Sequence, residues 1–127
     1  MRREVVRRAG NRCEYCLLHQ EDAASRHQVD HVISEKHAGE TALKNLALSC
    51  LTCNRRKSSD IGAHDPETGQ LVRLFNPRLQ LWSDHFRTDH SLILGLTPEG
   101  RATVEFLQFN SPERLLERDE WYPLNDG

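Results

Sequence analysis

In the first half of the chain, apolar residues come in short runs broken by charge. Val5, Val6 and Ala9 are spaced through an arginine-rich stretch that ends at Gly10, a pattern that predicts a short helix over 3–9 stopped by the glycine. Residues 28–33, Gln-Val-Asp-His-Val-Ile, are rich in β-branched side chains and read as a strand. Residues 34–44 are polar and contain Gly39, so they read as a loop. Asn45 to Ser49 is a brief, mostly apolar run suited to a returning strand. From Cys50 to Ser59 good helix formers and basic residues predominate, with Ser49 placed as N-cap.

The second half has its own punctuation. Asp65, Pro66, Glu67, Thr68 and Gly69 mark a turn. Strands are expected over 71–75 and 91–97. Helices are expected over 98–109, opening at Pro98, and over 112–121, with Ser111 as N-cap and Pro112 in the first position. The expected class is α+β, with a core over 1–62 and a small α+β extension over 63–127 packing on it.

Cysteine usage changes the picture most. Cys13-x-x-Cys16 and Cys50-x-x-Cys53 are the only cysteines, and 33 residues separate the pairs. Two such knuckles can present four thiolates to one tetrahedral zinc ion. The gap exceeds that of a compact zinc ribbon, so a whole substructure must sit between the knuckles. A redox site would call for one CxxC beside a βαβ pattern, which is not apparent. Four thiolates close the coordination shell, so the expected zinc is structural.

Charge and hydropathy narrow the function classes. The basic N-terminus lacks an apolar signal-peptide region, and no stretch is long and apolar enough to span a bilayer. The cytoplasm is therefore the expected location, with no membrane partner. Net charge is −2, yet residues 1–60 hold eleven Lys and Arg against eight Asp and Glu, while residues 61–127 hold six against eleven. The basic residues cluster at Arg2, Arg3, Arg7, Arg8 and Arg12, and again at Arg55, Arg56 and Lys57. Charge runs are commonly solvated faces, but the second lies directly beside a group of residues suited to catalysis.

That group is Asp30-His31, then Asn45, then Asn54 immediately after the fourth cysteine. Phosphodiester hydrolysis needs an activated water and stabilisation of an anionic transition state. A histidine can serve as base near neutral pH, and a hard divalent cation favours carboxylate and amide oxygens. With the run VDHVISEKHAGETALKNLALSCLTCNRRKSSD at 29–60 and both knuckles, the chain resembles the HNH endonuclease family over about residues 8–60.

The resemblance implies a ββα-metal (His-Me finger) core with four-cysteine zinc knuckles. It implies Asp30 and Asn54 as ligands of a catalytic magnesium or manganese ion, and His31 as general base. Asn45 would orient the His31 imidazole. Asn54 stands where many relatives carry histidine, and Ser58 where some carry another. Arg55, Arg56, Lys57 and the loop residue His37 would meet phosphates. The implied partner is nucleic acid, with double-stranded DNA preferred, and the implied products carry a 5′-phosphate and a 3′-hydroxyl. One tension stands: Asp30 and His31 are adjacent, so a regular strand would point them to opposite faces.

Asp84-His85 and Asp89-His90 repeat the dipeptide without cysteines or asparagines around them, and read as structural or surface pairs. Phe75, Trp82 and Phe86 could stack on bases but at this spacing read first as core. A non-catalytic zinc module binding nucleic acid or protein is the alternative; it has no need of Asp30, His31, Asn45 and Asn54 together.

Overall fold

The computed structural model describes residues 1–118. They cluster into two units, Met1–Ile61 with Asn76–Gln80, and Gly62–Phe75 with the described residues from Leu81 on. The first unit thus takes in Asn76–Gln80 from beyond residue 61.

The first unit opens with helix α1 (Arg2–Ala9), which ends where Gly10 takes a left-handed conformation at φ 63°. Glycine adopts that geometry without a Cβ penalty, which explains the stop. Strands β1 (Gln28–His31) and β2 (Leu46–Ser49) pair antiparallel, with Asp30 opposite Ala47 and His31 opposite Leu46. Helix α2 (Leu51–Lys57) follows and packs on β1. The order is strand, loop, strand, helix, as expected for a ββα core. Its apolar centre is small: Val5, Leu46 and Leu48 are buried together, flanked by Val6, Ala9 and Val29.

Polar side chains secure much of this unit. Glu14, inside the first knuckle, accepts a hydrogen bond from Leu48 N at 2.9 Å while its own N donates to Leu48 O at 2.8 Å. Its other carboxylate oxygen pairs with Arg78. Most arginines of the N-terminal run are engaged in the same way. Arg2 donates to His27 O at 2.9 Å, Arg8 to the carbonyls of Leu43 and Leu46, and Arg12 to Leu17 O. Arg7 pairs with Glu4. That run therefore satisfies loop and strand carbonyls rather than forming a free basic face.

The cap of α2 differs from the expected one. Cys50, not Ser49, is the N-cap, and its sulfur accepts from Cys53 N at 3.4 Å. The ladder with β1 holds Ser49 as the last residue of β2, so the knuckle sulfur takes the capping role.

Among its described residues, the second unit holds two hairpins and three helices. Strands β3 (Gly62–His64) and β4 (Leu71–Arg73) pair across the Asp65–Gly69 turn. Helix α3 (Trp82–His85) runs into strand β5 (Phe86–Asp89), which pairs with β6 (Leu92–Gly95). Helix α4 (Pro98–Phe106) is capped by Thr97, whose hydroxyl accepts from Gly100 N at 3.0 Å. Helix α5 (Pro112–Glu117) follows Ser111, whose side chain makes no capping bond; the expected helix residues 119–121 lie outside the described residues.

Phe75, Phe86 and Phe109 are buried, and Phe86 contacts Phe75, Trp82 and Phe109 with ring centroids 5.0–5.8 Å apart. These aromatics form a core, as their spacing suggested. Arg114 and Arg118 are buried too, donating to the carbonyls of Leu107, Ser91 and Phe109. Asp65, fully buried, takes a two-point contact from Arg101 at 2.8 and 3.0 Å and bonds from Thr68 and Glu67 N. Those contacts hold its carboxyl well below the usual carboxylate range, the Arg101 hydrogen bond first among them. Among the described residues, no helix is long and apolar enough to cross a membrane.

Candidate active site and metal centre

The four cysteines meet. Cys13, Cys16, Cys50 and Cys53 are buried, none is in a disulfide, and their sulfurs all lie within 4.8 Å of one another. Zinc bound at about 2.3 Å to each sulfur of a tetrahedron gives sulfur–sulfur edges of about 3.8 Å. The Cys16–Cys50 distance is 3.7 Å. Each knuckle also turns a backbone N–H onto a sulfur, Cys16 N to Cys13 at 3.5 Å and Cys53 N to Cys50 at 3.4 Å. Burial pushes the Cys13 and Cys53 thiols well above their usual range. A divalent cation supplies the charge that such a closed sulfur cage needs to ionise, so the donor set fits a structural zinc.

The knuckles bracket the hairpin, and the second opens helix α2; these elements carry the remaining candidates. Asp30 is half-buried on β1, and its charge reaches Tyr15 and Lys57. Lys57 is buried, and its ammonium donates to Val32 O at 2.8 Å. Burial lowers its pKa, with Asp30 and Asp60 pulling the other way. The expected phosphate contact from Lys57 is therefore corrected: the side chain ties α2 to the end of β1. Asn54 precedes Lys57 by three residues, so the two share a helix face. Arg55 and Arg56 are exposed and have no partner among the described residues.

His31 ends β1 with its side chain 23% exposed, and its Nε2 lies 2.8 Å from Thr41 Oγ1 and 3.8 Å from Glu35 Oε1. Asn45 does not reach the ring. Its Oδ1 accepts from Ile33 N at 2.9 Å, and its Nδ2 donates to Ile33 O and Glu40 O, both at 2.8 Å. The expectation that Asn45 orients the imidazole directly is thus corrected. Those three bonds use the amide to clasp both ends of the loop between the strands. Gly39 sits inside the clasp; a Cβ there would fall 1.7 Å from Ile33 O. His37 is exposed at the end of a 3₁₀ turn in the same loop.

Thr41, Glu35 and Glu14 escaped the sequence reading, because a threonine or glutamate in a polar loop has no periodic signature. Glu14 could have been suspected from its place inside a CxxC knuckle. The second Asp-His pairs are structural. His85 Nδ1 lies 2.6 Å from Thr97 Oγ1, with its ring 5.8 Å from Phe75, and His90 pairs with Asp89 at the surface.

The two knuckles, the hairpin between them and the helix that follows lie within residues 13–60, and those residues match the family model described as HNH endonuclease. That stretch, somewhat over a third of the chain, is what is similar to the family. Among curated proteins the chain is similar to the Septu protein PtuB of Bacillus thuringiensis, 25% identical over 114 residues. That alignment covers 88% of this chain and 42% of the relative, so the chain spans less than half of that protein's length. No solved structure matches the chain.

Proposed function

We propose that the chain is a metal-dependent endonuclease that hydrolyses phosphodiester bonds, preferring double-stranded DNA. The observation that carries this reading is the shared face of α2. Lys57 reaches Val32, just past the end of β1, from that face, and Asn54 lies three residues earlier on it, which supports pairing Asn54 with Asp30 on β1 and with His31 at its end. A carboxylate and an amide oxygen are hard donors, suited to magnesium or manganese with positions left for water and phosphate. Such an ion, when bound, supplies Lewis-acid stabilisation of the charged phosphate and the departing oxygen.

The chain's own residues do the rest. His31 accepts the proton of the attacking water. Arg55 and Arg56, both exposed, take phosphate contacts, and His37 adds one from the loop. The neighbouring zinc fixes the frame and takes no part in chemistry.

Supercoiled plasmid, incubated with the zinc-bound protein and added magnesium or manganese, tests the reading. The parent should nick or linearise it. A general base contributes about 10²–10⁴-fold, so His31→Ala should lose cleavage by that factor while retaining its zinc and its DNA affinity. Asp30→Ala and Asn54→Ala should blunt the response to added metal, and His85→Ala should retain most activity. An inactive parent would point instead to a binding module. A His31→Ala variant that cuts at the parental rate would place the centre elsewhere.

A further inference from the structure

The proposed base must have one nitrogen free to take a proton, and the two nitrogens of His31 are not equivalent. A neutral imidazole carries its hydrogen on one nitrogen and a lone pair on the other. Nε2 faces the Thr41 hydroxyl at 2.8 Å and a Glu35 carboxylate oxygen at 3.8 Å. Among the described residues, nothing hydrogen-bonds to Nδ1. A carboxylate beside Nε2 favours the proton there, and the hydroxyl can accept it. Glu35 is 76% exposed, so solvent weakens its pull and the directed bond to Thr41 sets the ring.

What holds Thr41 in place is the Asn45 clasp. Asn45 ties the carbonyl of Glu40, the residue before Thr41, back to Ile33, two residues beyond His31. The loop therefore closes over the ring edge, and the close approach of Gly39 to Ile33 O leaves no room for a side chain there. The amide fixes the loop, the loop fixes the hydroxyl, and the hydroxyl fixes the imidazole.

The geometry points to Thr41 as the positioning residue for His31, holding the Nε2-protonated ring so that Nδ1 is the atom that takes the proton from water. This rests on the nuclease reading for its chemistry, but its structural half can be measured without any cleavage. The full-length, zinc-bound chain is labelled with ¹⁵N, and the His31 ring nitrogens are assigned by comparison with His31→Gln. Spectra are recorded at about pH 8.5, where an ordinary imidazole is neutral.

The parent should show the nitrogen pair of a fixed Nε2–H tautomer. Thr41→Val, which keeps the shape and removes the hydroxyl, should move both signals toward tautomer-averaged values, and Thr41→Ser should restore them. In plasmid cleavage Thr41→Val should lower kcat at least about tenfold through lost alignment, with KM unchanged, and Thr41→Ser should recover it. An Nδ1-protonated ring in the parent overturns the assignment, as does a Thr41→Val variant with parental spectra or parental kcat. If the parent cuts nothing with any metal, the nuclease reading falls, and the ring spectra still decide whether Thr41 holds His31.

Discussion

The two units of the chain hold themselves together by different means. The first gathers four buried sulfurs around a site for one cation, beside an apolar cluster of Val5, Leu46 and Leu48. The second has no cysteine, and instead stacks Phe75, Trp82, Phe86 and Phe109 while satisfying two buried arginines with backbone carbonyls. Short strands and a seven-residue helix cannot bury enough surface to order a catalytic loop unaided. A metal staple spares the first unit a large core and leaves its strands and helix face available for polar chemistry.

The comparison breaks first at the metal. Structural zinc contributes about 10–16 kcal/mol in small finger peptides, so chelation, or Cys13→Ser or Cys50→Ser, should unfold the first unit. The near-ultraviolet signal of the aromatic cluster in the second should survive, as circular dichroism on the full chain can show. Loss of both signals together would mean that the aromatic unit depends on the zinc. Next is Phe86→Ala, which should cost about 3–5 kcal/mol by opening a cavity among the rings. It should leave zinc content at about one ion per chain; released zinc would erase the distinction drawn between the units.

A smaller effect is expected at the clasp. Asn45→Ala strips hydrogen bonds from Ile33 and Glu40 and should cost about 1–3 kcal/mol. Hydrogen exchange should rise in the loop between β1 and β2 and stay unchanged in α4. The smallest effect is set by acid. Asp65 is held below its ordinary pKa, so its stabilising pairing with Arg101 is complete above about pH 4 and is lost as pH falls toward the depressed value. Asp65→Asn should lower the melting temperature at neutral pH and make melting less sensitive to acid below about pH 4. An unchanged acid profile would remove Asp65 from the account of the second unit.

Much of the first unit was legible because its signals are local. Gly10 stops α1, the β-branched run gives β1, and the paired CxxC motifs announce a metal site. What could not be read were contacts set by the path of the loop. Nothing in the sequence tells that Lys57 turns inward to Val32 while Arg55 and Arg56 turn out, because three consecutive cations look alike until the helix phase is known. Asn45 was given the wrong partner, since its three bonds go to backbone atoms that carry no sequence identity. In the second unit, β3 and β5 were missed. Gly62–His64 is too short to show alternation, and Phe86–Asp89 emerges directly from the helix α3 with no turn residue between them.

The place of Asn76–Gln80 within the first unit has a consequence for how the chain can be divided. The backbone leaves that unit after Ile61, returns to it for five residues, and leaves again. Arg78, carried on the return, pairs with Glu14, the same carboxylate that receives Leu48 N. A protease cutting once near residue 61 would therefore not release the first unit intact, and a gene fragment ending there would encode a knuckle whose glutamate has lost its counter-charge. Any recombination that transplants the first unit whole must carry the second unit's opening hairpin with it.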